Sequence, residues 1–236
     1  EEQMAQMAIL SLSGLKKLYK KGEIEVTALA GVDLEIEKAE FCAIVGPSGS
    51  GKTTLLNIIG CLDSPSEGTV RYLGKELKAL GEKDLSSYRR EHISFIFQSY
   101  NLIPVLTVAE NVEIPLDIAG GFTSAQKRAK AMEILAAVGI ADKADRYPRE
   151  LSGGQEQRVA IARALVKDPV VVLADEPTAN LDSHTAEEIV KLMKKINRDR
   201  GTTFIFSTHD KMIMAEALRV IELRDGLVTK DERRST

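Results

Sequence analysis

Phe41-Cys42-Ala43-Ile44-Val45-Gly46-Pro47-Ser48-Gly49-Ser50-Gly51-Lys52-Thr53-Thr54-Leu55-Leu56-Asn57-Ile58-Ile59 is the stretch that decides the fold. Its first five residues are continuously apolar, the signature of a strand buried on both faces of a parallel sheet. Its last residues, Leu55 to Ile59, read as a helix. Between them lies a Gly-rich loop ending in Gly51-Lys52-Thr53. Such a loop lets backbone N–H groups wrap phosphate oxygens, and the helix N-terminus adds the positive end of its dipole. Lys52 would reach the β/γ oxygens and the Thr53 hydroxyl would ligate magnesium. The alternative, an ordinary glycine turn, does not need a strand before it and a helix after it.

Outward from this loop the chain alternates strands and helices, which predicts an α/β layered fold. Val170 to Ala174 and Thr203 to Ser207 repeat the continuous apolar or β-branched pattern and are predicted as further core strands. Val32-Asp33-Leu34-Glu35-Ile36-Glu37 alternates apolar and acidic residues, the period of a half-buried antiparallel strand, so the first forty or so residues read as a β-rich flap. From Asn101 to Arg158 the pattern turns helical, with Ser124 to Val138 apolar on one side and charged on the other. This segment reads as an inserted helical lobe.

Composition narrows the function classes. The chain has 236 residues and a formal net charge of −3, with a sequence pI near 5.8, so no global positive field favours nucleic acid or anionic lipid. The short basic clusters Lys16, Lys17, Lys20, Lys21 and Arg89, Arg90 read as solvated faces. Cys42 and Cys61 lie in apolar sequence and read as small buried hydrophobes of a reducing compartment. No apolar run approaches the roughly 18 residues of a membrane span. The N-terminus lacks the basic region and apolar core of a signal peptide, which predicts a cytoplasmic protein.

Two acids follow the apolar run Val170 to Ala174. Asp175, at the carboxyl end of a buried strand, could hold magnesium through water, and Glu176 could accept a proton from an attacking water. The same pair after a strand could also cap a helix. A second Gly-rich segment, Leu151-Ser152-Gly153-Gly154-Gln155, lies about a hundred residues after the first. Alone it reads equally well as a capped helix start.

The phosphate loop, Gln98, Leu151 to Gln155, Asp175-Glu176-Pro177-Thr178, Asn180-Leu181-Asp182 and His209 stand in the order and spacing of the ATP-binding cassette (ABC) ATPases, which this chain resembles over nearly its whole length. The resemblance implies an α/β fold: a P-loop NTPase (RecA-like) core, an antiparallel β subdomain and an inserted α-helical subdomain. In residue terms it implies one ABC ATPase domain over 8–236, with 8–98 and 159–236 forming the nucleotide-binding core and 99–158 the helical part. It further implies ATP and Mg²⁺ as ligands and a head-to-tail homodimer sandwiching two ATP molecules.

Site roles follow from the resemblance position by position. Gly46, Pro47, Ser48, Gly49, Ser50, Gly51, Lys52, Thr53 and Thr54 would bind the phosphates of one subunit's ATP. Ser152, Gly153, Gly154, Gln155 and Asp182 would meet it from the other subunit. Thr53, Gln98 and, through water, Asp175 would serve the metal. Lys52, Glu176 and His209 would be catalytic, with His209 contacting the γ-phosphate and orienting Glu176. Tyr19 resembles the aromatic that stacks on adenine; ordinary strand packing is the other reading.

Within the family, Asn57 to Asp63, Phe97 to Pro104 and Glu110-Asn111-Val112 resemble the LolD/MacB branch, which serves lipoprotein release and macrolide or peptide export. That implies a transmembrane permease partner and a peripheral place on the cytoplasmic face of the inner membrane. Tyr100 to Leu106 either dock a permease helix or bury in the helical lobe. An FtsE-type cell-division ATPase is the runner-up; a soluble chromosome or translation ATPase fits less well, since there is one cassette and no sustained heptad repeat. Ala39 and Ala179 depart from the pattern, standing where glycine is usual and frequent, respectively.

Overall fold

The computed structural model describes residues 8–22, 24–77 and 82–234. Two long strands, β1 (Ala8–Lys21) and β2 (Ile24–Glu37), form an antiparallel hairpin joined by β4 (Glu67–Tyr72) and the short β5 (Lys75–Glu76), in the order β2-β1-β4-β5. The alternation read at Val32 to Glu37 is present as a burial pattern. Val32, Leu34 and Ile36 are buried and Asp33 and Glu35 are exposed.

The second sheet has six strands in the order β10-β9-β3-β8-β7-β6, comprising β3 (Phe41–Val45), β6 (Ile93–Ile96), β7 (Val171–Asp175), β8 (Thr203–Ser207), β9 (Arg219–Arg224) and β10 (Leu227–Arg233). All neighbours pair in parallel except the terminal β9–β10 hairpin. The three runs predicted as core strands are its centre, and they divide their residues between two apolar cores with period two. Phe41, Ala43, Val45, Val172, Ala174, Phe204 and Phe206 face one core, while Cys42, Ile44, Val171, Leu173 and Ile205 face the other. A strand that must fill both sides has no room for polar alternation, which is why these runs are continuous.

The second core lies between this sheet and the β1–β2–β4 sheet and takes in α1 (Lys52–Ile59) through Leu55, Leu56, Ile58 and Ile59. The first core is roofed by α3 (Val108–Ala119), α4 (Ser124–Ala137), α5 (Gly153–Leu165) and α6 (Ser183–Arg200). Val112 of α3 and Ile134 of α4 belong to the same continuous apolar cluster as Phe204 and Phe206. Two further helices, α2 (Glu82–His92) and α7 (Lys211–Glu216), precede β6 and β9.

Helix starts are set by short polar side chains. Thr107 with Glu110, Thr123 with Gln126 and Ser152 with Gln155 form reciprocal capping boxes on α3, α4 and α5; Asp182 and Asp210 cap α6 and α7. Each satisfies backbone donors that the first helical turn leaves unpaired. Cys42 and Cys61 are both buried and unbridged, and burial pushes the Cys61 thiol up to about 11. Of the basic residues read as solvated, Lys16 and Lys17 pair with Glu67 and Asp63, and Arg89 donates to the Cys61 carbonyl at 2.5 Å.

Candidate nucleotide-binding site

The Gly-rich loop follows the carboxyl end of β3 and wraps the start of α1. Gly51, immediately before the helix, has φ of 102°, and a Cβ there would lie 2.4 Å from the Ala28 carbonyl oxygen. Gly46 is equally constrained, since a Cβ would fall 2.0 Å from the Leu223 carbonyl oxygen. Glycine is therefore required at both ends of the loop, by left-handed backbone and by close approach. The Lys52 ammonium spans the loop, donating to the carbonyls of Gly46 at 2.8 Å and Pro47 at 3.0 Å.

A cleft of about 710 Å³ opens over this loop. Val26, Thr27 and Ala28 of β2 form one wall; Gln98, Asp175, Glu176, Ala179, Ser207 and His209 face them across Gly46 to Thr54. Sheet order explains the convergence. β8 lies between β3 and β7, so the ends of all three strands deliver loop, acids and histidine to one crevice. Ser50 is the one loop residue turned away: it is 2% exposed, and its Oγ makes no hydrogen bond.

Within the cleft the Thr53 hydroxyl donates to Asp175 Oδ2 at 3.3 Å, and Gln98 lines the same space. An alcohol, a carboxylate and an amide suit a hard cation. Magnesium is commonly held by one or two carboxylates together with substrate phosphates and water, so the donor set fits that ion. Among the described residues no cluster of three or more His, Cys, Asp or Glu side chains could hold a metal by itself.

Glu176 carries the most constrained geometry. It is not glycine yet has φ of 45°, held there by its N–H donating to the Ser207 carbonyl at 2.9 Å and its carbonyl accepting from Ala179 at 3.2 Å. Left-handed backbone costs a non-glycine residue roughly 1–3 kcal/mol and clusters at functional sites. The turn aims the carboxylate at β8: Oε1 lies 2.7 Å from His209 Nδ1, and Oε2 accepts from the Thr208 hydroxyl at 3.1 Å.

Other expected site residues lie elsewhere. Ser152 to Gln155 do not line this cleft; Ser152 caps α5, with its Oγ accepting from Gln155 N at 3.4 Å. The capped-helix-start reading of that segment is the one this geometry shows. Glycine is needed at position 154, where a Cβ would lie 2.4 Å from Thr185 Cγ2. The Asp182 carboxylate is occupied in capping α6, taking bonds from His184 N, Thr185 N and the Thr185 hydroxyl, and the Thr185 bonds hold its pKa down. Asn180 of the same loop donates to the Gln98 carbonyl at 2.9 Å.

Tyr19 stands at the rim, outside the cleft lining. It pairs directly with Val26 across the β1–β2 hairpin, so the two side chains share a face, and both are exposed. Its hydroxyl donates to Asp63 at 2.7 Å, and burial raises its pKa, with that bond adding to the effect.

Tyr100 to Leu106 is partly packed against the helical lobe and partly exposed. Leu102 packs against the first core, whereas Ile103 and Val105 are exposed, Val105 at 79%. The loop is pinned from below. Arg163 of α5 donates to the carbonyls of Tyr100 and Asn101, and the buried Asn111 side chain bonds Ile103 N and the carbonyls of Ile103, Leu106 and Thr107. Arg163 was not singled out from sequence, and Asn111 stood only within the motif Glu110 to Val112, with no anchoring role. Both sit in helical patterns where an isolated polar residue reads as solvent-facing.

A strand–loop–helix phosphate cradle, an acidic strand end and an inserted helical lobe define a P-loop nucleotide-binding cassette. Residues 29–179 match the ABC transporter family, and the chain belongs to that family. It is 50% identical over 222 residues to the macrolide export ATP-binding/permease protein MacB of Rhodopseudomonas palustris, covering 94% of this chain and 34% of that protein. An uncharacterized ABC transporter ATP-binding protein of Thermotoga maritima is 46% identical over 226 residues, covering 96% of each chain. The chain therefore spans about a third of the length of the MacB relatives, and nearly all of the Thermotoga protein.

Among solved structures, the dimeric structure of MJ0796, a bacterial ABC transporter cassette, superposes with a TM-score of 0.88 at 45% identity, covering 96% of this chain and 99% of that one. A dimeric post-hydrolysis state of the same cassette, bound to ADP and Pi, superposes with a TM-score of 0.87 at equal identity and coverage.

Proposed function

We propose that this chain binds and hydrolyses ATP as a head-to-tail homodimer and so drives a transmembrane permease of the MacB or LolD type, working in macrolide or peptide export or in lipoprotein release. The observation that carries the reading is the division of the site. Lys52, Thr53, Gln98, Asp175, Glu176 and His209 converge on one cleft, while Ser152, Gly153 and Gly154 start α5 outside it. A second copy would add a further hydroxyl and a second helix N-terminus to that cleft, both suited to a γ-phosphate. The dimeric form of the similar MJ0796 cassette supports this arrangement.

In this account Glu176 takes a proton from a water in line with the γ-phosphate, help worth roughly 10²- to 10⁴-fold. His209 holds Glu176 in position, while Lys52, the loop N–H groups and the partner's α5 terminus stabilise charge on the transferring phosphoryl. Thr53, Gln98 and, through water, Asp175 would hold Mg²⁺, whose role when bound is to neutralise phosphate charge. Tyr19, on the rim with Val26, would stack on adenine. Work comes from population shift, because ATP favours the closed dimer and its loss removes that bias.

The similarity to MacB supports a permease partner, and hence a peripheral position on the cytoplasmic face of the inner membrane. Among the described residues no helix is long and apolar enough to cross a membrane. Exposed Ile103 and Val105, on a loop fixed by Arg163 and Asn111, would dock the permease. Copurification with a membrane protein, and stimulation of ATP hydrolysis when that protein is reconstituted with this chain, test the proposal. Stimulation by DNA instead would overturn it.

A further inference from the structure

A hydrogen-bond chain behind Glu176 has a direction. The Thr178 hydroxyl donates to Asp210 Oδ2 at 2.6 Å; Asp210 Oδ1 accepts from Met212 N at 2.8 Å and so caps α7. The Asp210 N–H in turn donates to Thr208 Oγ1 at 3.0 Å, and Thr208 Oγ1 lies 3.1 Å from Glu176 Oε2. Because Thr208 Oγ1 already accepts from a backbone N–H, its own proton is free to point at the carboxylate. Thr208 is fully buried and Thr178 is 4% exposed, so neither hydroxyl has water as an easy substitute partner. The Thr208 N–H is also engaged, donating to the Ile44 carbonyl at 3.1 Å, which ties this residue to the strand that carries the phosphate loop.

We infer that Thr208 is a positioning residue for the hydrolytic step: its hydroxyl pins Oε2 of Glu176, leaves Oε1 as the oxygen that works on water, and is itself aimed by Asp210 and Thr178. The inference rests on Glu176 being the base. Among the described residues the other oxygen, Oε1, is partnered by His209 alone, whose side chain is 79% exposed and can turn toward a bound phosphate. Oε2 has a buried, directed donor and stays fixed. One carboxylate thus has one oxygen held by a buried donor and the other by an exposed side chain that can move away.

The test is steady-state ATP hydrolysis by Thr208→Val, which keeps shape and removes the hydroxyl, beside Thr208→Ser, which restores it. Loss of a hydrogen bond to a charged group predicts a fall in kcat of roughly 10- to 100-fold for T208V. The KM for ATP and ATP-dependent dimer formation should stay as in the unsubstituted chain. T208S should recover the rate to within about threefold, since the hydroxyl's bond to the Glu176 carboxylate is retained. Equal loss in T208V and T208S, or an equal rise in KM, would overturn the inference, because a packing defect predicts both.

Glu176→Gln, measured alongside, separates the two readings. If E176Q is inactive while T208V turns over normally, Thr208 does not position the base and the base assignment stands. If E176Q turns over normally, both fall. Should T208V not fold, Thr178→Val probes the far end of the same chain. A kcat decrease of roughly three- to tenfold at unchanged KM is expected there, and an unchanged kcat would overturn the inference.

Discussion

The Thr53 hydroxyl reaches the Asp175 carboxylate at 3.3 Å even though the strands leading to them, β3 and β7, are separated in the sheet by β8. The contact spans the crevice at the strand ends, so a metal held there would touch both the phosphate loop and the acidic strand. Asp175→Asn keeps the shape and removes the charge. The Mg²⁺ concentration for half-maximal hydrolysis should rise by about 10- to 100-fold. Nucleotide binding in EDTA should be unaffected. A magnesium titration coincident with that of the unsubstituted chain would contradict this role.

Ala39, where the resemblance led to an expectation of glycine, has φ of 62°, in the left-handed region that favours glycine. Its N–H donates to Thr203 Oγ1 at 2.9 Å and its carbonyl accepts from Asn197 at 2.8 Å, so the turn cannot relax out of the left-handed region. The conformation costs an L-residue roughly 1–2 kcal/mol. Glycine removes that cost but gains freedom in the unfolded chain worth roughly 0.4–1 kcal/mol. Ala39→Gly should therefore stabilise the protein by up to about 1 kcal/mol in urea unfolding, without changing ATP hydrolysis.

Arg219 is 6% exposed and binds three strands together: it pairs with Asp231 of β10 at 2.7 Å and with Glu40 at 3.0 Å, and it donates to the Glu35 carbonyl at 2.7 Å. Removing it leaves the exposed Asp231 to water and Glu40 with Arg233 alone, at 3.1 Å, and frees the Glu35 carbonyl, so Arg219→Ala should cost about 1–3 kcal/mol. The bond from Arg219 holds the Asp231 carboxyl below its ordinary value. Its contribution is then complete above the usual aspartate pKa of about 3.9 and lost as pH falls through the depressed folded value. Glu40 runs the other way. Burial raises its carboxyl, with Arg219 and Arg233 pulling it back, so its contribution is largest at low pH and declines as pH rises through the raised value. Comparing Asp231→Asn with the unsubstituted chain isolates Asp231: the stability gap at neutral pH should close as pH drops below about 4.

Ser152 and Lys52 belong to opposite halves of the proposed composite site. Lys52→Ala and Gly153→Asp chains should each be inactive alone, the first for want of phosphate binding, the second through a charge set against phosphate at α5. Mixed, they can form a heterodimer with one intact site, and hydrolysis should reappear. A mixture as inactive as its components would mean that the two elements do not meet across an interface.

Much of this arrangement is legible in the sequence because it is local. Gly46 to Thr53 declares its turn through glycine spacing, Val32 to Ile36 its exposed face through alternation, and Phe41 to Val45 its double burial through continuity. Ser152 and Gln155, three residues apart, read as a capped helix start. What was not legible depends on contacts between distant segments. Nothing local indicates that β8 separates β3 from β7, that Arg219 meets Glu40, or that Asn111 holds the loop after Gln98. Asp182 shows a further limit: a residue that recognition singles out for a ligand also serves as a helix cap, a role that only its N–H partners reveal. Thr208 and Thr178 sat beside recognised acids, yet their bonds to Glu176 and Asp210 depend on how two strand ends are juxtaposed.

The central claim is that hydrolysis requires two copies closed on ATP, with Glu176 as the base. Glu176→Gln should bind ATP, turn it over roughly 10²- to 10⁴-fold more slowly, and accumulate as a nucleotide-bound dimer. Size-exclusion chromatography with light scattering, with and without ATP, measures this directly. The account predicts a monomer-to-dimer shift on adding ATP; a persistent monomer, or hydrolysis at the unsubstituted rate, would contradict it.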